Sequence, residues 1–391
     1  MRITEKKHKL LKPPAKIGII GGGQLGRMIT VEAKRMGYHV TILDPTPSSP
    51  AAQVADEQIT ASFTDRSAIK KLAGACDVIT YEFEHIDADV LIDLEVEGYD
   101  IYPSGKSLKS IQDKYIQKMM LKNADVPVPD FIIVNDINDM QKCIDTIGLP
   151  FILKTRSGGY DGKGNSIIKT MVEMEQSLEE FKGYGLIAER FIEFERELSI
   201  IAARDLRNNY AFYPIVENIH ENSILRLTRA PANIDIALEN KVRAIARKVL
   251  KILDDYGVFC IEMFLTHNGE IYINEIAPRP HNSGHYTIEA CVTSQFEQLV
   301  RVITGMPLGS TRQRSPCVMA NILGSDSVEG QYSFDGIEDV LGEDDIHLHL
   351  YGKQSTKKMK KIGHLTVLNK SVKAAEEKAL KALEKLVIKP L

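Results

Sequence analysis

Two glutamates carry the strongest chemical signal in the chain. Glu262 stands in the apolar run Val258–Leu265 and Glu275 in the run Glu270–Ile276, with Asn268-Gly269 between them. Asn-Gly is the residue pair of a two-residue hairpin turn. Counting outward from it places His267 opposite Glu270 and, further down the ladder, Glu262 opposite Glu275. Their Cβ atoms would lie about 5 Å apart on one face. Carboxylates so placed repel unless one is protonated or a cation lies between them. Magnesium, or manganese in its place, takes such oxygens and commonly shares them with phosphate. Two other readings fit the spacing: glutamates turned to solvent or paired with Lys or Arg, and a retaining-glycosidase pair.

Directly after Glu275 the chain reads Ile276-Ala277-Pro278-Arg279-Pro280-His281-Asn282-Ser283-Gly284-His285. The prolines stiffen the backbone. Arg279, His281, Asn282, Ser283 and His285 then crowd hydrogen-bond donors beside the expected cation, a set suited to an oxyanion, with Arg279 able to bond it bidentately. Zinc would need a third soft ligand at a suitable spacing, and the segment offers none.

Upstream, Phe151–Lys154 is an apolar strand ending in a cation, followed by Ser157 and the run Gly158-Gly159-Tyr160-Asp161-Gly162-Lys163-Gly164. A P-loop has its lysine followed by Ser or Thr at the start of a helix. Here Gly164 and the strand-like Asn165–Ile168 follow, so the segment is a hairpin tip. Four glycines in seven positions let amides approach phosphates and let the loop close as a lid above Lys154. The plainer alternative is a mobile hairpin with a solvated lysine. A third signal is Gly21, Gly23 and Gly26, a G-x-G-x-x-G between the strand Ile17–Ile20 and a helical pattern through Met36, with Asp44 where a ribose-binding acid would sit. By itself this fits an NAD-type site as well as a reused Rossmann-like scaffold.

The elements that must position these groups follow from pattern. Strands at Ile17–Ile20, His39–Leu43 and Val78–Tyr81 alternate with helices, predicting a parallel sheet over the first 110 or so residues. From Asp113 the grammar changes: a helix at Lys114–Asn123, the Pro-rich Val126–Pro129, the two glycine-rich hairpins, and helices at Ala237–Tyr256 and Thr287–Thr304. Pro307 and the polar Ser310–Ser315 mark a further boundary. This divides the chain into an extension (1–15, read as solvated), a Rossmann-like domain (16–112), a central domain (113–308, with a lid subdomain about 125–190) and a small C-terminal domain (309–391). In the last, Asp326–Asp345 carries eight acidic residues, Tyr351–His364 carries five lysines, and Ser371–Lys389 reads as an amphipathic helix.

The 391 residues can bury their own core, and 43% hydrophobic with 26% charged residues is a globular composition. A net charge of −4 argues against a nucleic-acid-coating or polybasic membrane protein. No run approaches the ~20 apolar residues of a membrane span. Five scattered cysteines without a C-x-x-C pair point to a reducing cytoplasm.

Taken together these residues resemble the ATP-grasp superfamily, and within it the carboxylating ligases of purine synthesis. The likeness runs from about Lys16 to about Leu368. It is carried by 21–28, Tyr81-Glu82-Phe83-Glu84, 158–164, 274–285, Tyr351-Gly352-Lys353 and Lys360-Lys361-Ile362-Gly363-His364. The resemblance implies an α/β and α+β ATP-grasp fold with a Rossmann-like pre-ATP-grasp domain and a small C-terminal domain. It also implies that bicarbonate attacks the γ-phosphate of ATP and the resulting carboxyphosphate carboxylates 5-aminoimidazole ribonucleotide, in a homodimer.

Lys114, Lys154 and the 158–164 lid would contact ATP phosphates. Glu189, Arg190, Phe191 and Ile192 would form the adenine hinge, Glu197 would hold the ribose, and His220 would line the pocket. Glu262 and Glu275 would ligate magnesium. Many relatives have Asn two residues beyond the second glutamate, whereas here that position is Ala277 and Asn274 is the nearby candidate. Residues 279–285 would hold bicarbonate and carboxyphosphate. Gly23, Gln24, Leu25, Glu84, Tyr160, Asp161, Lys353 and Lys360 would bind the ribonucleotide. Lys360 replaces a frequent arginine, so a bidentate contact becomes a point charge. The nearest rival is a formate-dependent glycinamide ribonucleotide transformylase; an NAD-dependent oxidoreductase is the rival of another class.

Overall fold

The computed structural model describes residues 10–159 and 164–391. Its first sheet runs Glu57–Ile59, His39–Leu43, Lys16–Ile20, Val78–Tyr81, and every pairing is parallel. These strands read as apolar runs because both faces are covered: Ile17, Ile19, Ile20, Val40, Ile42 and Leu43 are all 0% exposed. The crossover helix Arg66–Ala75 starts where the Asp65 side chain accepts the N–H groups of Ser67 and Ala68. Leu11 is a departure from the expected solvated extension. It is buried, its N–H donates to Thr304 O, and its carbonyl accepts from the Tyr38 hydroxyl.

An antiparallel four-stranded sheet follows, in the order Phe131–Val134, Leu186–Arg190, Phe151–Thr155, Asn165–Ile168. Lys154 faces Asn165, so the two strands flanking the glycine-rich segment pair antiparallel. Tyr160, Asp161, Gly162 and Lys163 lie outside the described residues.

Among the described residues the largest sheet has nine strands. Its spine is Ile271–Ala277, Gly257–Thr266, Phe194–Arg204, Val216–Glu221 and Ile224–Ala230, and it continues through Cys317–Leu323, Lys361–Leu368 and Ile346–Leu350. The C-terminal segment is therefore hydrogen-bonded into the same sheet as the glutamate hairpin. Two helix expectations change. Thr287–Thr304 is interrupted, with helices at Thr287–Ala290 and Gln295–Ile303, because the Ser294 side chain caps a new start by accepting Glu297 N–H. The terminal helix ends at Lys385, and Val387–Pro390 pairs as a strand with Tyr332–Asp335.

Candidate active site

In the hairpin Glu262 does oppose Glu275, but by a different route from the one the turn suggests. Thr266, not His267, accepts and donates across to Glu270, so three residues form the loop. That one-residue offset is cancelled by a bulge, since Met263 faces Ile273 while Glu262 faces Glu275. Had the ladder continued without slipping, Asn274 would oppose Glu262 and Glu275 would turn to the opposite face. The bulge instead brings Asn274 and Glu275 into one cavity of about 560 Å³ together with Glu262.

A buried cation holds this bulge. Lys118, 1% exposed, donates to the Asn274 carbonyl at 3.1 Å and lies 3.2 Å from Glu189 Oε2. Lys154 reaches the same Glu189 oxygen at 2.9 Å and Asn274 Oδ1 at 3.3 Å. Burial pulls the Lys118 ammonium down to about 8 despite Glu189. Lys118 was missed in the sequence, although its spacing four residues beyond Lys114 puts both on one helix face. Lys114 itself bonds Glu275 Oε2 at 3.2 Å.

The two glutamates titrate in opposite directions. Lys114 draws Glu275 down to about 2, against the opposing effect of burial. Burial and then the charge of Glu275 push Glu262 well above the usual carboxylate range. The pair thus favours the proton on Glu262 over Glu275, in the place where a divalent cation would balance both carboxylates. This donor set, two carboxylates with the Asn274 carboxamide oxygen beside them, fits a hard cation such as magnesium.

The same cavity is lined by Phe191, Phe194, Glu197, His220 and Lys154. His220 Nδ1 lies 3.2 Å from Glu197 Oε2. Of the four hinge residues, expected to read the base through their backbone groups, Phe191 is among the residues lining this cavity. Glu189 points inward to the lysines, Arg190 pairs with Asp130 at 2.6 Å, and Ile192 is buried.

A second cavity, of about 620 Å³, lies against the glycine turn and is lined by Gln24, Leu25, Glu84, Gln112, Arg279 and others. The two cavities share Lys114, Gly159, Glu275, His281, Asn282 and Lys361. Burial, then Arg279 and Lys361, hold the His281 imidazole down to about 3, so it is neutral. Arg279 Nη2 pairs with Glu84 at 2.8 Å. Lys361, also missed, follows Lys360 and opens the strand Lys361–Leu368; it lines the two large cavities while Lys360 lines another.

The third cavity, about 270 Å³, is lined by Gly23, Gln24, Lys353, Ser355 and Lys360. It brings together the two lysines expected to bind a phosphate, and Lys360 donates to the Ser355 carbonyl at 2.7 Å.

Two of the expected donors sit elsewhere. His285 is 0% exposed and packs against His364, Phe296 and Tyr351, lining none of these cavities. Ser283 is also 0% exposed and bonds His281 Nδ1 and Ser199 rather than facing the cavity. Asn282 lines both large cavities, but its carboxamide is exchanged with that of Asn321 at 2.8 and 3.0 Å.

The glycine turn is not free to take a pyrophosphate. Glu82 accepts the N–H of Gly23 at 2.5 Å and of Gly26 at 2.6 Å, and Asp44 accepts that of Gly22 at 2.8 Å. A Cβ at Gly23 would stand 2.5 Å from Glu82 Oε1. The glycines therefore make room for the protein's own carboxylates, which removes the ground for reading Asp44 as a ribose acid. Nothing local in the sequence connects Glu82 to a turn some sixty residues earlier.

A lysine-lined cavity carrying opposed glutamates, joined to a second pocket under a Rossmann-like turn, defines an ATP-grasp ligase. Residues 119–296 match the ATP-grasp domain, 14–112 the ribonucleotide synthetase preATP-grasp domain, and 317–378 the phosphoribosylaminoimidazole carboxylase C-terminal domain. The N5-carboxyaminoimidazole ribonucleotide synthase of Bacillus subtilis is 42% identical over 361 residues, 92% of this chain and 93% of that one. The crystal structure of the Thermotoga maritima synthetase superposes with a TM-score of 0.87 at 46% identity, covering 96% of this chain and all of that one (100%). The Aspergillus clavatus synthase, solved with ADP and 5-aminoimidazole ribonucleotide, gives 0.86 at 33% identity over 95% and 98% of the two chains. The chain belongs to the N5-carboxyaminoimidazole ribonucleotide synthase family.

Proposed function

We propose that the protein carboxylates 5-aminoimidazole ribonucleotide with ATP and bicarbonate, releasing ADP and phosphate. The observation that supports this most is the junction of the two large cavities at Lys114, Glu275, His281 and Lys361. A phosphoryl group from one side and an amine from the other can meet there. ATP occupies the cavity of Phe191, Glu197 and His220, its phosphates over Lys114 and Lys154. Glu262 and Glu275, with Asn274, would hold magnesium, which would supply positive charge to neutralise phosphate. A bicarbonate oxygen bonds to the γ-phosphorus as the bond to ADP breaks. The exocyclic amine of the ribonucleotide then attacks the carboxyl carbon, phosphate leaves, and the amine loses a proton. Arg279, His281 and Lys361 surround the anion through both steps and stabilise its developing charge. The ribonucleotide sits beside Gln24 and Glu84, with its phosphate in the recess of Lys353 and Lys360.

The same reading divides the chain at 112/113 and 308/309, with about 125–190 as the lid subdomain. It also includes the homodimer that the resemblance implies, which sedimentation would test. An ADP-release assay with each substrate omitted in turn tests the chemistry. Turnover should require ATP, bicarbonate and the aminoimidazole ribonucleotide together, and dependence on formate would overturn the proposal.

A further inference from the structure

Behind His281 runs a row of buried polar side chains that the reaction above does not use. Ser283 Oγ lies 2.9 Å from His281 Nδ1, and the Ser283 backbone N–H donates to the same nitrogen at 3.3 Å. Ser199 Oγ donates to Ser283 Oγ at 2.9 Å, and Asn218 Nδ2 donates to Ser199 Oγ at 2.8 Å. Thr228 Oγ1 donates to Asn218 Oδ1 at 3.0 Å. Ser283, Ser199 and Thr228 are 0% exposed and Asn218 3%. Asn218 and Thr228 are direct cross-strand partners in the nine-stranded sheet, and Ser199 stands on the adjoining strand.

Such a row has two self-consistent directions. Each hydroxyl can donate either way, and a carboxamide turned end for end exchanges its donor and acceptor. The backbone N–H of Ser283 breaks the tie because it can only donate. At 3.3 Å it is the longer of the two contacts to Nδ1, against 2.9 Å for the hydroxyl, so it biases the ring towards an accepting Nδ1 without enforcing it, and the row runs towards that nitrogen. A neutral imidazole with an accepting Nδ1 carries its proton on Nε2. That nitrogen lies 3.7 Å from Glu262 Oε1, on the side of the ring that faces the shared cavity.

We propose that Thr228, Asn218, Ser199 and Ser283 are positioning residues that hold His281 in the Nε2–H tautomer, presenting a hydrogen-bond donor to the anion at the cavity junction. In the other tautomer a lone pair would face that anion. The inference deepens, and rests on, the reading of His281 as a donor to carboxyphosphate.

The test is a long-range proton–nitrogen correlation spectrum of the full chain labelled with 15N-histidine, with the His281 signals assigned by His281→Asn. The wild-type ring should carry its proton on Nε2. Asn218→Asp places an acceptor-only carboxylate under both Thr228 and Ser199, so Ser199 and then Ser283 turn round. The His281 proton should move to Nδ1, and kcat for ADP release should fall on the order of 10²-fold at unchanged KM for ATP. Because a buried aspartate can block folding, Ser283→Ala is the second variant. It removes the hydroxyl but keeps the N–H, and should give mixed tautomers with about a tenfold lower kcat. A wild-type ring protonated on Nδ1, or a spectrum unmoved in both variants, overturns the proposal. So does a tautomer shift that leaves kcat intact. Loss of the ribonucleotide requirement with the tautomer results as expected would instead sink the assigned reaction and leave the hydrogen-bonded row standing.

Discussion

Lowering the pH should loosen this protein through two imidazoles packed behind the active loop. His285 and His364 are both 0% exposed, with ring centroids 4.7 Å apart, and His349 stacks on His364 at 4.4 Å. Tyr351 Oη lies 2.9 Å from His364 Nδ1, while Nε2 of each ring has no partner among the described residues. Burial first, and then the neighbouring histidines, hold both pKa values well below the ordinary 6.5. The folded state thus refuses protons that the unfolded chain accepts. Stability from these groups is full above pH 6.5 and is lost as the pH falls beneath it.

At pH 5.5, one unit below the unfolded value, each imidazole forfeits about 1.4 kcal/mol, so the two together forfeit about 3 kcal/mol. Glu82, Glu262 and Asp255, whose buried carboxyls are pushed up, oppose this trend. The informative quantity is therefore the difference between proteins. Urea denaturation at pH 7.5 and 5.5 should show about 1.4 kcal/mol less pH dependence in His285→Gln, and again in His364→Gln, than in the wild type. If either variant matches the wild-type pH dependence to within about 0.5 kcal/mol, that histidine already charges in the folded protein and the packing argument fails.

Three further outcomes are expected. Glu275→Gln should lower ADP release on the order of 10²-fold while ATP still binds, as read by turnover beside a nucleotide titration; unchanged turnover would remove the glutamate pair from the chemistry. Lys118→Met frees the Asn274 carbonyl and loosens the bulge, so the apparent magnesium affinity should fall about 10- to 100-fold with the KM for the ribonucleotide unaffected. In Glu82→Gln one of the two glycine N–H groups faces an amide NH₂, which should cost about 2 kcal/mol in denaturant stability and raise the KM for the ribonucleotide; a neutral result would mean that the turn holds itself.

The sequence alone determined most of the elements and pointed to many of the residues that line the cavities. His39–Leu43, Val78–Tyr81 and Lys114–Asn123 fall where periodicity and capping place them, because such signals act over a few residues. The opposed glutamates, the hairpin lysine and the donor cluster were legible for the same reason. What the sequence left open depends on partners distant along the chain. The glycine fingerprint looked ready for a dinucleotide until folding brought Glu82 onto its amides. The glutamates face one another because a bulge, held by Lys118 from another element, cancels an offset at the turn. Part of the acidic stretch meets lysines, as Glu343 with Lys385 and Asp326 with Lys358, so the near-neutral charge includes internal pairing. His285 looked like a donor, yet the chain reversal after Asn282 turns it into the core. A one-residue slip or a single turn decides which face a side chain takes, and only tertiary packing sets that choice.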